Sequence, residues 1–375
     1  VGPLLGGFIT TYLSWRVGFL LEVVVIAVVL SGISLVREVP YTGSRSVDVV
    51  GSVLSVLGMG GLVMGILAWQ EGAESVGALL VVGAGAMGAL IWWLRRRKRR
   101  AEPTLIDPDL FQSKVFRSGI SGQLLQQIAL GGSMIVLPIY LQMVFEYDAM
   151  QAGLSLAPLS LSMFAVALIA GKKAGSRRPS SIIRAGFALL TLGLVVLVPI
   201  IPRADSGWSL VIPLIIAGCG LGLLVSQLNN YTLSPISDER VSEAAGVNSA
   251  AGSFGLSFGL AFAGAIMLAA LSIAFTTMSE DSTVLPEAEQ QQVADVLEED
   301  AEVVTNTKLE ALLVDQPPEI QAEIIRINTD ARPLALQIAM LIPILAGVIG
   351  LFISFRMMRL PDPVPTGSED GMVLG

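Results

Sequence analysis

Apolar runs at 17–36, 50–70, 76–94, 118–140, 151–171, 182–202, 208–230, 247–275 and 334–355 dominate the sequence. A helix needs about 20 apolar residues to cross the hydrocarbon core of a bilayer, and inside it every backbone N–H and C=O must find a partner within the segment. The nine runs therefore predict an all-α polytopic membrane protein. With 53% hydrophobic and 14% charged residues, and a mean hydropathy of +0.72, the composition lies far from that of a soluble domain. Residues 1–13, "VGPLLGGFITTYL", read as the outer part of a tenth span whose start lies upstream of Val1, with no signal peptide ahead of it. The expectation is a partial chain of a longer protein, with nine full spans and a partial first one.

Basic residues are retained on the cytoplasmic side of a membrane. If "RRRKRR", Arg95 to Arg100, is cytoplasmic, strict alternation of the nine spans puts 18 of the 23 Lys and Arg inside. Only Arg16, Arg203, Lys308, Arg326 and Arg332 fall outside, and the C-terminus is cytoplasmic. A hexabasic run alone suggests nucleic-acid or anionic-lipid binding, but this one follows Trp92 and Trp93 at a helix end and reads instead as a topology anchor touching lipid headgroups. Trp15, Trp69 and Trp208 fall at outer ends, where indole rings favour the interface.

The net charge of −8 belongs to one segment: residues 277–333 carry 14 acidic and 3 basic side chains. Val293, Val296 and Leu297, then Ile320, Ile324 and Ile327, recur there at helical spacing, between Pro286 and "QPP". This predicts a small extracytoplasmic cap of short amphipathic helices.

A chain with one cysteine, Cys219, and no histidine excludes intrachain disulfides, Cys/His zinc sites and His-dependent triads. Its charges lie almost entirely at helix ends, so neither an enzyme nor a metal site is expected. Inside the spans the polar groups are mostly uncharged. Gln123, Gln126 and Gln127 stand at i, i+3 and i+4 and share one side of a helix, and Gln227, Asn229 and Asn230 lie near an inner end. Such amides either bridge helices or line a substrate cavity. Glu22 is the one carboxylate well within a span, read either as a polar-paired structural residue or as a proton carrier. Gly255, Gly259 and Ala263, spaced by four and preceded by Gly252, form a small-residue stripe that admits a neighbouring backbone, and Gly218, Gly220 and Gly222 thin the preceding helix.

"GPLLGGFIT", with Gly2, Pro3, Gly6 and Gly7, resembles the antiporter motif in the fifth helix of drug:proton antiporters of the major facilitator superfamily, and "YLSWRVGFLLEV" resembles the loop and sixth helix that follow. Further along, Asp48 and Gly51 open a span as the seventh helix does in the fourteen-helix EmrB/QacA-type branch. "LIDPDLFQSKVFRSG", "LPIYLQMVFEYDAMQAGLSLAP" and "ISDERVSEAAGVNSAAGSFGLSFGLAFAGAI" resemble its linker before the ninth helix, its ninth and tenth helices, and its thirteenth with the loop before it. "GKKAGSRRPSSIIR" keeps Gly171 and the basic residues of the family's gating turn but has no Asp, so no charge lock is expected there.

The resemblance implies a major facilitator fold lacking its first four helices. Residues 1–36 would end the N-terminal bundle, 37–100 would form the inserted helix pair, and 101–375 the C-terminal bundle. It also implies a plasma-membrane exporter of small amphipathic or drug-like molecules, driven by the proton gradient with no bound cofactor. The partners expected are the lipid bilayer and a small-molecule substrate, with no nucleic acid, and nothing in the sequence sets an oligomeric state. A membrane scaffold that uses the same fold without transporting is the competing expectation.

Overall fold

A computed structural model of the chain describes residues 2–33, 48–70, 75–172, 177–286, 290–291, 293–294, 296–297, 305–314 and 316–361. Among them there is no strand. Helix α1 (Gly2–Phe8) runs into a π-helical turn, Ile9–Leu13, and α2 (Trp15–Ser31) follows. A hairpin of α3 (Val49–Gln70) and α4 (Val76–Arg99) comes next. The remainder comprises α5 (Lys114–Met143), α6 (Ala149–Lys172), α7 (Pro179–Ile200), α8 (Val211–Leu233), α9 (Asp238–Glu280), α10 (Asn306–Leu312), α11 (Pro318–Ala339) and α12 (Leu341–Met357).

Eight helical stretches among the described residues are long and apolar enough to cross a membrane. They coincide with the second to ninth expected spans. The first expected span is α2, whose 17 residues extend about 26 Å at the usual helical rise; positions 34–36 of that run lie outside the described residues. Two boundaries move. α9 has 43 residues, about 65 Å of helix, so it projects well past a bilayer core at both ends. The last span joins α11 to α12, which separate at Met340 because Pro343 has no N–H to donate to the carbonyl of Ala339.

Glycine determines which helices touch. α5 runs through the centre, against α8, α9 and α12. A Cβ at Gly255 of α9 would lie 2.6 Å from the carbonyl oxygen of Leu124, and one at Gly259 would collide with that of Ile128. Ala263, fully buried, faces Gly132 of α5. The stripe on α9 thus admits the backbone of α5, which allows dense dispersion contact where lipid offers no hydrophobic driving force. On α8, Gly218 and Gly222 abut α6 while Gly220 abuts α7 on the opposite side. The α3–α4 hairpin closes in the same way at Gly61 and Gly83, and its Ile66 packs on Ala261 and Ala265 of α9.

Proline leaves polar debts that side chains settle. Pro202 cannot donate to the carbonyl of Val198, and the side-chain amide of Gln337 donates to it instead at 2.8 Å. Tyr140, fully buried, donates its hydroxyl to the carbonyl of Ile201 at 2.7 Å. At one end of the molecule a second apolar cluster joins Leu271 and Phe275 of α9 to Leu297, Leu309, Ile324 and Ile327. This is the expected cap, with Val293 and Ile320 packed against it. Val296 departs from expectation: it is 54% exposed, while Val293 and Leu297, one turn apart, face the cluster. We call this the cap end, and the end bearing Arg95 to Arg100 the basic end.

Candidate functional site

Three groups of side chains bear on function: an amide cluster among α5, α8 and α9, a crossing of α1 over α6, and an ionic clasp at the basic end.

The three glutamines of α5 do not act as one face. Gln126 lies on the side of α5 that carries Gly119 and Gly122, which meet Thr232 and Leu228 of α8. It is buried, and its Oε1 has no hydrogen-bond partner among the described residues. Gln123 and Gln127 instead border the glycines of α9: a Cβ at Gly252 would sit 3.2 Å from Nε2 of Gln123, and one at Gly255 would sit 3.2 Å from Cβ of Gln127. Oε1 of Gln127 is likewise buried without a partner. One turn before Gly252, the buried Asn248 donates to Oδ1 of Asn229 at 2.9 Å, while its own Oδ1 has no partner among the described residues. Gln227, also buried, donates to the carbonyl of Ala170 on α6 at 3.4 Å, a helix-bridging contact, and Asn230 is exposed. Sequence reasoning missed Asn248, whose four-residue offset from Gly252 was the available signal. Buried amide oxygens without donors are costly and rare, and here Gln126, Gln127 and Asn248 supply three of them.

At the cap end, α1 lies against the start of α6. A Cβ at Gly7 would collide with the carbonyl of Ala149 and approach Cα of Met150 to 3.1 Å. Next to it, the N–H of Met150 donates to Oγ1 of Thr11 at 3.1 Å, so the π-turn satisfies one of the free donors at the N-terminus of α6. Gly6 faces open space, and the surroundings of Gly2 and Pro3 lie outside the described residues. Of Gly6 and Gly7, close packing therefore falls on Gly7. Glu22 is exposed on α2, with no ion-pair partner among the described residues.

At the basic end, Asp48 immediately precedes α3, with its side chain only 1% exposed. Its carboxylate accepts from the Gly51 N–H at 2.9 Å, the Trp93 indole N–H at 3.0 Å, the Leu105 N–H at 3.2 Å and the Arg97 guanidinium at 3.4 Å. Burial pushes this carboxyl up, but the donors from Gly51, Trp93 and Leu105 and the Arg97 charge together hold it below the usual carboxylate range. Lys98 bridges Asp107 and Asp109 at 2.8 Å each, and Arg240 of α9 reaches Asp107 at 3.1 Å. Arg97 and Lys98 thus tie α4 to the 101–113 linker and, through it, to α9. Trp93 likewise serves as a donor to a buried carboxylate, a role beyond that of the interfacial ring expected from its position.

This helical bundle, crossed by glycine-lined contacts, has the architecture of a multi-pass membrane protein. The profile of the Major Facilitator Superfamily matches residues 1–260, and the chain belongs to that superfamily. It is 24% identical over 291 residues to the "Probable actinorhodin transporter" of Streptomyces coelicolor, a match covering 75% of this chain and 50% of that protein. To "Multidrug resistance protein Stp" of Mycobacterium tuberculosis it is 28% identical over 274 residues, covering 72% and 50% respectively. To "Putative multidrug resistance protein MdtD" of Yersinia pestis it is 26% identical over 279 residues, covering 71% and 57%. The chain spans about half the length of these curated relatives. Their names agree with the drug:proton antiporter branch that the sequence motifs resemble.

Proposed function

We propose that the protein is a secondary active exporter, coupling proton entry to the outward movement of small amphipathic molecules by alternating access. In this reading residues 1–36 belong to an N-terminal bundle, residues 101–375 form the C-terminal bundle, and 37–100 are an inserted pair. The protein resides in the plasma membrane with its C-terminus in the cytoplasm. The observation that supports this most directly is the crossing of α1 over α6. Gly7 lets the backbones of α1 and α6 meet, and Thr11 accepts from the N–H of Met150 at the cap end, so in this reading two helices of different bundles touch where alternating access would part them. The names of the relatives, an antibiotic transporter and multidrug resistance proteins, favour amphipathic substrates.

Gln123 and Gln127 are the proposed substrate-wall residues, because they border an α5–α9 seam containing the buried amide oxygens of Gln127 and Asn248, which accept no hydrogen bond from the described residues. Gln227, which donates to the carbonyl of Ala170, fits helix bridging better. Glu22 is a candidate proton-linked group on grounds of charge and position alone.

Full-length protein reconstituted in vesicles tests the coupling. An imposed pH gradient should drive accumulation of a fluorescent amphipathic cation, and collapsing the gradient should stop it; accumulation indifferent to the gradient refutes the proposal. Orientation is tested in a Cys219→Ser background: Ser75→Cys and Asp281→Cys should react with an impermeant thiol reagent added to intact cells, and protection of both would invert the topology.

A further inference from the structure

The six basic residues after Trp93 do not share one environment. Arg97 and Lys98 are engaged by Asp48, Glu102, Asp107 and Asp109. Arg95, Arg96, Arg99 and Arg100 are exposed on another side of α4 and have no carboxylate partner among the described residues. With Trp92 they line an open groove of about 460 Å³. Charge that only fixes topology has no need of such a division.

We infer that this groove binds the phosphate headgroup of an anionic phospholipid. The first argument is electrostatic. Arg95 and Arg99 stand at i and i+4, as do Arg96 and Arg100, so like charges are neighbours on the helix surface and repel unless an anion lies among them. Guanidinium groups present forked donors that match phosphate oxygens in pairs. The Arg96 guanidinium is already held 5.1 Å above the Trp92 ring.

The second argument concerns which phosphate. Below the arginines the same side of α4 continues as Trp92, 57% exposed, then Gly88, where nothing occupies the Cβ direction, then Val81, 73% exposed. Positions 81, 88, 92, 95 and 99 fall within a narrow angular stripe of a 3.6-residue helix. A ligand matching this stripe carries its negative charge at one end and an apolar chain at the other, with the boundary at Trp92. A membrane phospholipid has that form, whereas free phosphate and nucleic acid have no use for the apolar half. The site lies on the α4 surface away from the amide seam and from α1–α6, and so does not depend on the transport reading.

The full-length protein in nanodiscs of phosphatidylcholine containing a minority of phosphatidylglycerol provides the test, with bound lipid counted by native mass spectrometry. Wild type should retain phosphatidylglycerol preferentially. Replacing Arg95, Arg96, Arg99 and Arg100 together by Gln should weaken that retention about tenfold or more while leaving phosphatidylcholine unchanged. Trp92→Ala keeps every charge and the same topology, and should still weaken it several-fold. Excess inorganic phosphate should not displace the lipid. Unchanged retention in the Trp92 variant would reduce the site to diffuse charge, and displacement by inorganic phosphate would make it a simple anion site; either result overturns the proposal.

Discussion

Helices α2 and α5 are both apolar enough for a membrane, yet none of the 17 residues of α2 is buried while 13 of the 30 in α5 are. Apolarity alone does not separate them, because lipid tails solvate leucine and valine as well as a neighbouring helix does. α5 carries Gly119, Gly122, Gly131 and Gly132, each opposite a side chain or backbone of α8, α9 or α12. α2 carries one interior glycine, Gly18, with nothing in its Cβ direction. Among the described helices, small residues mark where α5 meets its neighbours, whereas α2, in a chain that spans about half the length of its relatives, has no comparable neighbour.

The comparison breaks most severely where a side chain is forced between two backbones. Gly259→Leu drives α9 off the Ile128 carbonyl of α5 and should leave almost no monodisperse folded protein after extraction, a loss above the ~1–3 kcal/mol typical of overpacked cores. Gly246→Ala on the same helix meets open space and should be neutral or stabilising by up to about 1 kcal/mol. Equal behaviour of the two variants in a thermal unfolding assay would show that the glycine stripe does not set the packing.

The hairpin's attachment is expected to rank next. Asp48→Ala removes a buried acceptor from four donors and leaves Glu102 as the carboxylate partner of Arg97 among the described residues. It should cost about 3 kcal/mol, read as a lowered unfolding temperature. Because the folded carboxyl titrates below its ordinary range, its contribution is complete above the unfolded value and fades as pH falls through the folded one. The difference between wild type and Asp48→Ala should therefore shrink only in acid, below about pH 4. A difference that vanishes near neutrality would contradict the assignment.

Much of this architecture was legible in the sequence, because length and apolarity identify a span whatever surrounds it. The glycine spacings of α8 and α9 also predicted close approach, although only the structure names α5, α6 and α7 as the partners. The site was less legible. Gln123, Gln126 and Gln127 look equivalent by helical spacing, but helices on two sides of α5 divide them. The hexabasic run looks uniform, and only the folded position of the 101–113 linker, distant in sequence from Asp48 and Glu243, distinguishes Lys98 from Arg99. Gly6 and Gly7 are adjacent in a resembling motif, and one helical step, about 100°, decides which meets α6.

Substituting the glutamines sharpens the comparison within α5 itself. Gln123→Leu and Gln127→Leu should change which compounds are exported more than they change protein abundance. A proportional loss for every compound, following abundance, would make both residues helix bridges. A smaller effect is expected at the cap, where Glu146 accepts from the hydroxyl and, at 2.9 Å, the N–H of Thr307 at the start of α10. The Thr307 hydroxyl and then its N–H hold this carboxyl below its usual range, so the contact persists at neutral pH and weakens only in acid. Glu146→Gln should raise proteolysis within 277–317 slightly at pH 7; unchanged cleavage would make the contact incidental.

The α1–α6 crossing bears the central claim, and cross-linking tests it most directly. In full-length protein with Cys219→Ser, Thr11→Cys and Met150→Cys should form a disulfide under mild oxidation, since the Met150 N–H already donates to the Thr11 hydroxyl at 3.1 Å. If transport requires α1 and α6 to separate, the oxidised protein should be inactive and reduction should restore the rate. Transport at an undiminished rate by fully cross-linked protein would contradict the account.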